Sequence, residues 1–509
     1  MSAATAFVFT IADENDTARL MADLALLLAP GDTVTLTGDL GAGKTFAARA
    51  LIRYLAGDDA LDVPSPTFTL VQAYDLPSFP LLHGDLYRIA DESELDEIGL
   101  APWPEETVTL IEWPERAAAA LPDDRIDVTL RHDAEGGESA RIATVTGFGL
   151  AAAQAARLAA LRRFLEGAGL GAAQRTRMAG DASTRSYARL AHDGESLVLM
   201  NSPRRPDGPP VHDGKPYSAA VHLAEDVKPF VAIANGLRAR GLSAPAIRHA
   251  DLDHGFLVTE DLGSDPVVAG TPPAPIPERY EAATDWLAAL HGMRLPATLP
   301  LPLPAASHAI PRFDVDAMLV EVSLMLDWYL PDRSVTVGPR TRADFFDLWR
   351  ELLIAKIAAA PATWVLRDYH SPNLIWCGAR DGLARVGVID FQDTVLGPAA
   401  YDLVSLLQDA RVDVSEDVEI ANLVRYTRAR LKAEPGFDAA AFAESYAIMS
   451  AQRNTRLLGT FARLNRRDGK PHYLRHQPRI WTYLKRSLAH PALHEVRDWY
   501  AARVPAPGR

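Results

Sequence analysis

Two groups of residues in this 509-residue chain have the types and spacing for phosphate chemistry. The first is Gly38-Asp39-Leu40-Gly41-Ala42-Gly43-Lys44-Thr45. In a loop of this pattern the backbone N–H groups of Leu40, Gly41, Ala42 and Gly43 can wrap a β-phosphate. Lys44 neutralises the β and γ oxygens, and Thr45 offers a hydroxyl to Mg²⁺ at the positive end of the following helix. The second group is Arg367-Asp368-Tyr369-His370-Ser371-Pro372-Asn373 followed by Ile389-Asp390-Phe391. Here Asp368 is placed to accept a hydroxyl proton, while Asn373, five residues on, and Asp390, closing an apolar run from Val386, can reach Mg²⁺. A site of the first kind does not need the second set, and one of the second kind does not use the first. Both require ATP, so the spacing predicts two enzymes on one polypeptide.

The elements that must position these residues follow from periodicity. Residues 5 to 148 alternate strand and helix signals: a strand Thr33 to Leu36 before the glycine loop, a helix from Thr45, strands near Thr67 to Tyr74 and Thr107 to Ile111, and one over Arg141 to Thr146. A helix is predicted over Ala151 to Leu165, and the domain boundary is placed near residue 150. Beyond it, strand signals at Ser196 to Met200 and Gly255 to Glu260 give way after 275 to a mainly helical pattern. Pro-rich loops interrupt that pattern at 271–277 and 295–304. The expected fold class is therefore α/β: a small P-loop NTPase-like sheet domain over 1–150, then a two-lobed protein-kinase-like α+β domain over 151–509. Its small lobe would span about 165–265 and its helical lobe about 275–509.

Three further segments accompany the glycine loop: Ser65-Pro66-Thr67-Phe68-Thr69, His83-Gly84-Asp85-Leu86-Tyr87-Arg88 and Ile111-Glu112-Trp113-Pro114-Glu115-Arg116. With the loop, they resemble the bacterial TsaE family, the ATPase subunit of the tRNA threonylcarbamoyladenosine machinery. The resemblance implies that Thr45 and Glu112 hold Mg²⁺, that Asp85 orients the ion's water shell or the attacking water, and that Thr67 lies in a switch segment. Thr17 and Arg141 match positions the family uses near the nucleotide. It further implies hydrolysis that resets partner subunits of the threonylcarbamoyl-transferase complex, with no group transfer by the domain itself. The acidic segment Asp91 to Glu97 reads as a solvated helix face or as a partner surface.

The second group continues with Val388-Ile389-Asp390-Phe391-Gln392-Asp393 and Gly397-Pro398-Ala399-Ala400-Tyr401-Asp402. It resembles the aminoglycoside phosphotransferase family, and within it the branch that phosphorylates N-acetylmuramate and N-acetylglucosamine at the anomeric hydroxyl in cell-wall recycling. Gly180-Asp181-Ala182-Ser183 with Arg185 and Tyr187, Thr259 to Gly263, and Leu458-Gly459 through Lys470 extend the match. The resemblance implies Asp368 as base, Asn373 and Asp390 as Mg²⁺ ligands, and a hinge from Glu260 to Leu262 that meets adenine through backbone groups. Asp402 would be a buried anchor of the catalytic loop. There are two departures. Leu366 stands where a His is usual, and the small-lobe strand Leu197-Val198-Leu199-Met200 carries no Lys. No G-x-G-x-x-G loop is present either, so phosphate neutralisation is expected from Mg²⁺, with Arg185 or the turn from Gly180 to Ser183 as candidate further contacts.

Composition bounds the rest. Length suggests two to four domains at roughly 150 residues each. One cysteine, Cys377, permits no internal disulfide. With no basic leader or long apolar run, a cytoplasmic protein without membrane contact is expected. A net charge of −14 argues against general nucleic-acid binding, which relies on Lys and Arg displacing phosphate counterions. Ten Lys/Arg against one Asp between Arg453 and Arg486 read either as a solvated helical face or as one that attracts phosphates. Alternatives to the dual enzyme are an N-terminal nucleotide-dependent binding switch, a C-terminal pseudokinase scaffold, and a kinase for another alcohol such as an aminoglycoside.

Overall fold

The computed structural model describes residues 4–178, 185–204 and 208–508. The Gly180 to Ser183 turn lies outside them. The chain forms two compact units, Met1–Arg204 with Arg248–Asp261, and Arg205–Ile247 with Leu262–Arg509.

The first unit opens with β1 (Thr5–Ile11), α1 (Glu14–Ala25), β2 (Thr33–Thr37), α2 (Lys44–Ala56), β3 (Val71–Asp75), β4 (Pro80–Asp85), the short α3 (Glu94–Glu97), β5 (Val108–Glu112), β6 (Arg125–His132) and β7 (Arg141–Phe148). Its seven strands run in the order β1-β7-β6-β2-β5-β4-β3. The centre is parallel, β2 pairing with β5 and β6, and β4 with β5. Such strands are covered on both faces and read as apolar runs, as buried Val34, Leu36, Val108 and Leu110 do. The strand expected from Thr67 begins only at Val71, because Leu70 turns into the left-handed region at φ 64 and its N–H bonds Pro66 O at 2.6 Å. The hydroxyls of Ser65 and Thr67, before that turn, reach Asp85 at the end of β4.

After β7 comes α4 (Ala151–Gly167), then β8 (Gln174–Arg177), β9 (Ser186–His192) and β10 (Glu195–Asn201). With strands Phe256–Glu260 and Ile247–Asp251, these three form a five-stranded antiparallel sheet. The helix expected to open a second domain serves two cores. Ala155 and Leu158 pack with the first sheet's residues, and Ala160, Leu161 and Leu165 with those of the second. Below them Asp23 of α1, fully buried, accepts from Arg162 Nη1 at 3.0 Å and from Arg175 Nε at 2.9 Å. A buried carboxylate is tolerated only with such pairing.

The second unit is mainly helical. Two antiparallel ribbons, Ala362–Val365 with Val395–Pro398 and Leu374–Trp376 with Val386–Val388, carry the loops 366–373 and 389–394 between them. The 30-residue helix Ala439–Asp468 runs behind the loops and packs on Val315–Leu324. Their closest approach is at Gly459, where an added Cβ would stand 2.3 Å from the Leu324 carbonyl carbon. The basic stretch from Arg453 is not a solvated face at its start. Arg453 is buried, donating to Ser405 Oγ at 2.7 Å, and Arg456 bonds Tyr401 Oη at 2.8 Å. Net charge along a sequence does not reveal which arginines face inward.

Candidate active sites

In the first site the glycine loop links β2 to α2. Gly38 has φ 147, and a Cβ there would meet Leu130 O at 2.4 Å, so only glycine fits. Gly41 and Gly43 also have positive φ, Gly43 as N-cap of α2. Leu40 is exposed and Ala42 is buried under the loop. Lys44 is folded back: its Nζ donates to Gly38 O at 2.6 Å and Asp39 O at 3.0 Å and sits 3.5 Å from the Trp113 ring centroid. Burial lowers its pKa, despite the opposing fields of Glu112, Glu115, Asp85 and Asp39. Trp113 reaches this place because its φ of 59 turns the chain sharply at the end of β5. It is thus a packing partner of the reacting cation.

Asp85 and Glu112 end the neighbouring parallel strands β4 and β5, in direct register. Both are buried. Glu112 accepts from Thr45 Oγ1 at 2.8 Å and lies 3.0 Å from His83 Nε2. Asp85 accepts from Thr67 Oγ1 at 2.6 Å, Ser65 Oγ at 3.2 Å and the Tyr87 N–H at 3.0 Å. His83 and Ser65 have no assigned role in the sequence reading. The signal for His83 is period two, since it is buried in β4 two residues before Asp85. Arg141 joins the site, its Nε donating to Ala42 O at 3.2 Å. Thr17 lies in α1, its hydroxyl donating to Asp13 O at 3.3 Å.

The second site lies on strained loops. Arg367 and Asp390 have φ of 69 and 58, a region non-glycine residues occupy only where their surroundings impose it. Asn373 Nδ2 donates to Asp368 O at 2.9 Å and approaches Asp390 Oδ2 at 3.5 Å, bringing all three predicted residues together. Gln392 Nε2 holds the other Asp390 oxygen at 3.0 Å. Asp368 keeps 28% of its side chain exposed, with His370 Nε2 at 3.8 Å. Burial raises its pKa, but Arg456, His370, Arg453 and Arg367 together outweigh this and leave it lowered. His370 is itself pushed down to about 4 by burial, so it adds charge beside Asp368 only in acid and is neutral above that.

Beneath the loop, Asp402 accepts the Leu366 and Arg367 N–H groups at 2.6 and 2.9 Å, its own pKa raised to about 7 by burial. Asp409 accepts Ser371 N and Oγ at 3.0 and 2.6 Å. Fully buried Glu321 pairs with Arg367 and lies 3.5 Å from Arg456 Nε, and it accepts from Gln452 at 3.0 Å. Gln392 lies within the quoted motif but without a role there, while Glu321, Asp409 and Arg456 were not marked by motif spacing, because each comes from a different element. The hinge residues are placed separately. Glu260 ends its strand opposite Leu197 of β10, and the Leu262 carbonyl lies 3.9 Å from Cys377 Sγ. Cys377 is partly buried.

Among the described residues no group of three His, Cys, Asp or Glu forms a metal cage. Thr45 with Glu112, and Asn373 with Asp390, instead offer two donors each, which suits Mg²⁺, an ion that takes its other ligands from water and phosphate oxygens.

The pattern defining "Threonylcarbamoyl adenosine biosynthesis protein TsaE" matches residues 11–141, and that of the "Phosphotransferase enzyme family" matches residues 174–442. A TsaE of Rickettsia bellii is 41% identical over 118 residues, covering 23% of this chain and 81% of that protein. The N-acetylmuramate/N-acetylglucosamine kinase of Caulobacter vibrioides is 39% identical over 366 residues, covering 69% of this chain and 98% of that protein. A choline/ethanolamine kinase family protein from Mesorhizobium loti is 18% identical, with TM-score 0.41, over 69% of this chain and 98% of that structure. The chain belongs to the phosphotransferase enzyme family through its C-terminal part and to the TsaE family through its N-terminal part. It is an ATP-using enzyme that joins the two.

Proposed function

We propose that the N-terminal domain, residues 1–150, hydrolyses ATP in support of tRNA adenosine-37 threonylcarbamoylation. The C-terminal domain, residues 151–509, would transfer the γ-phosphoryl group to the anomeric hydroxyl of N-acetylmuramate or N-acetylglucosamine. The observation that carries this reading is that residues expected to act together lie together, Thr45 bonded to Glu112 in one site and Asn373 to Asp368 and Asp390 in the other.

In the first site Lys44 binds phosphate oxygens once released from its own loop carbonyls, Asp85 orients the attacking water, and Thr45 and Glu112 would hold Mg²⁺. The backbone of Leu40 to Gly43 wraps the phosphates, and Arg141 braces the loop through Ala42 O. In the second, Asp368 accepts the proton of the acceptor hydroxyl as that oxygen bonds to phosphorus and ADP leaves. A carboxyl is ionised at neutral pH, and the arginines around Asp368 hold it so, leaving its oxygen free to accept that proton. Asn373 and Asp390 would hold Mg²⁺, which neutralises charge on the transferring phosphoryl group. Glu260 and Leu262 supply backbone groups to adenine. The partners of the N-terminal domain on this reading are the subunits of the threonylcarbamoyl-transferase complex.

The test is to incubate the whole chain with ATP, Mg²⁺ and a panel of amino sugars and aminoglycosides, identifying products by phosphorus NMR. An anomeric phosphate on N-acetylmuramate or N-acetylglucosamine is expected. Phosphorylation of aminoglycosides alone, or of nothing in the panel, refutes the kinase reading.

A further inference from the structure

Within the second unit, a cavity of about 640 Å³ opens beside the outer half of the helix Ala439–Asp468. Its wall includes Tyr217, Asp327, Trp328, Arg342 and Arg463. The charges in this wall are mostly paired. Asp327 accepts from Arg342 Nη2 at 2.5 Å, Asp347 lies 3.6 Å from Arg350, and Arg467 bonds Asp468 at 2.7 Å. Arg463 differs: it lies over the Tyr217 ring at 4.9 Å, and its buried Nε has no hydrogen-bond partner among the described residues. Nor has it a carboxylate within ion-pair distance among them. Burial lowers its pKa, with Arg467 and Arg456 adding to the effect. Arg463 is half-buried, with Tyr217 and Asp468 near enough to act on it, and its unmet Nε–H gains from a ligand that supplies an anion.

The position along the helix connects this cation to the reaction. Arg453 and Arg456, whose charges act on the Asp368 carboxyl, lie on the same helix as Arg463. Seven residues separate Arg456 from Arg463, two turns on one helix face and about 10 Å of rise. Arg463 therefore lies about two helical turns beyond the cations that act on Asp368, on the same face. A neutral acceptor would leave Arg463 as unpaired as it stands now.

We infer that Arg463, stacked on Tyr217, receives the carboxylate of an acidic acceptor sugar and sets the preference for N-acetylmuramate over N-acetylglucosamine, which lacks that group. This rests on the sugar-kinase reading above. A planar guanidinium suits the role because it meets a carboxylate with two parallel N–H groups while its face lies on an aromatic ring.

The test compares kcat and KM for both sugars in the intact chain, Arg463→Gln and Arg463→Lys. Arg463→Gln is expected to lower kcat/KM for N-acetylmuramate about 10- to 100-fold, chiefly through KM, and to leave N-acetylglucosamine within about twofold. Arg463→Lys, which keeps the charge and loses the fork, should fall between. Equal losses for both sugars would make Arg463 a structural support only and overturn the inference, as would no loss for either. Should Arg463→Gln fail to fold, a Lys variant that discriminates between the sugars as the intact chain does refutes the role of the fork. An intact chain that phosphorylates N-acetylglucosamine alone overturns the inference while the kinase reading stands. An intact chain that phosphorylates neither sugar overturns both.

Discussion

The glycine-loop site and the Asp368 site perform related chemistry with opposite construction. In the first, the carboxylates Asp85 and Glu112 stand side by side at the ends of parallel strands, and the hydroxyls of Thr67 and Thr45 satisfy them. In the second, the reacting groups sit on loops whose Arg367 and Asp390 adopt unfavourable backbone conformations. They are held by buried carboxylates from other elements: Asp402, Asp409 and Glu321. A sheet edge positions its residues by register alone. A loop site needs a charged foundation, and that foundation is where it is vulnerable.

The largest effect should come from removing that foundation. Glu321→Gln leaves Arg367 and Arg456 without their buried counter-charge, and breaking such a pair costs about 3–5 kcal/mol. Denaturant unfolding should show the second unit destabilised by that order and sugar phosphorylation lost, with Lys44-dependent hydrolysis retained. Loss of both activities would erase the contrast between the sites.

Next is Gly38→Ala, which sets a Cβ against Leu130 O in a backbone conformation costing about 1–3 kcal/mol for other residues. Nucleotide titration should show weakened binding at the first site and unchanged sugar-phosphate formation.

A smaller effect separates the units by pH. His291 is pushed down to about 3, and His370 and His476 to about 4, burial being the first cause in each. Unfolded histidine titrates near 6.5. The unfolded chain therefore binds protons that the folded one refuses, so this stability is present above about pH 6.5 and is lost as pH falls toward 4. The unfolding midpoint of the second unit should drop across that window, and His291→Gln should flatten the slope. A midpoint constant over the window contradicts the buried-neutral assignment.

The smallest expected change is at Arg185, which lines a cavity of about 150 Å³ in the first unit with Tyr54, Ser78 and Arg177. As the substitute for the absent small-lobe Lys, Arg185→Ala should weaken ATP affinity or turnover of the kinase about tenfold, the worth of one charge-assisted hydrogen bond. Unchanged values of both refute that role.

The same contrast explains what the sequence made legible. Leu40 to Thr45, Asp85 and Glu112 lie in contiguous motifs at strand ends, where apolar runs announce the strand and the next polar residue is the functional one. Asp368, Asn373 and Asp390 were equally readable for the same reason. Glu321 was not, because a single Glu inside Val315–Leu324 looks like any helix-surface charge until Arg367 and Arg456 are seen facing it. The basic run from Arg453 failed in the same way. Helical periodicity gives the face but not what lies against it. Nor could periodicity show that α4 serves two cores, since alanine-rich helices look alike on both sides.

The central claim is that two sites run two reactions, ATP hydrolysis through Lys44 and sugar phosphorylation through Asp368. Its most direct test follows free phosphate and sugar phosphate separately in the intact chain, Lys44→Ala and Asp368→Ala, supplied with ATP and either sugar. The account predicts that Lys44→Ala loses sugar-independent phosphate release and keeps sugar phosphorylation, while Asp368→Ala does the reverse. Sugar phosphate from Asp368→Ala, or sugar-independent hydrolysis that survives Lys44→Ala and vanishes in Asp368→Ala, would contradict it.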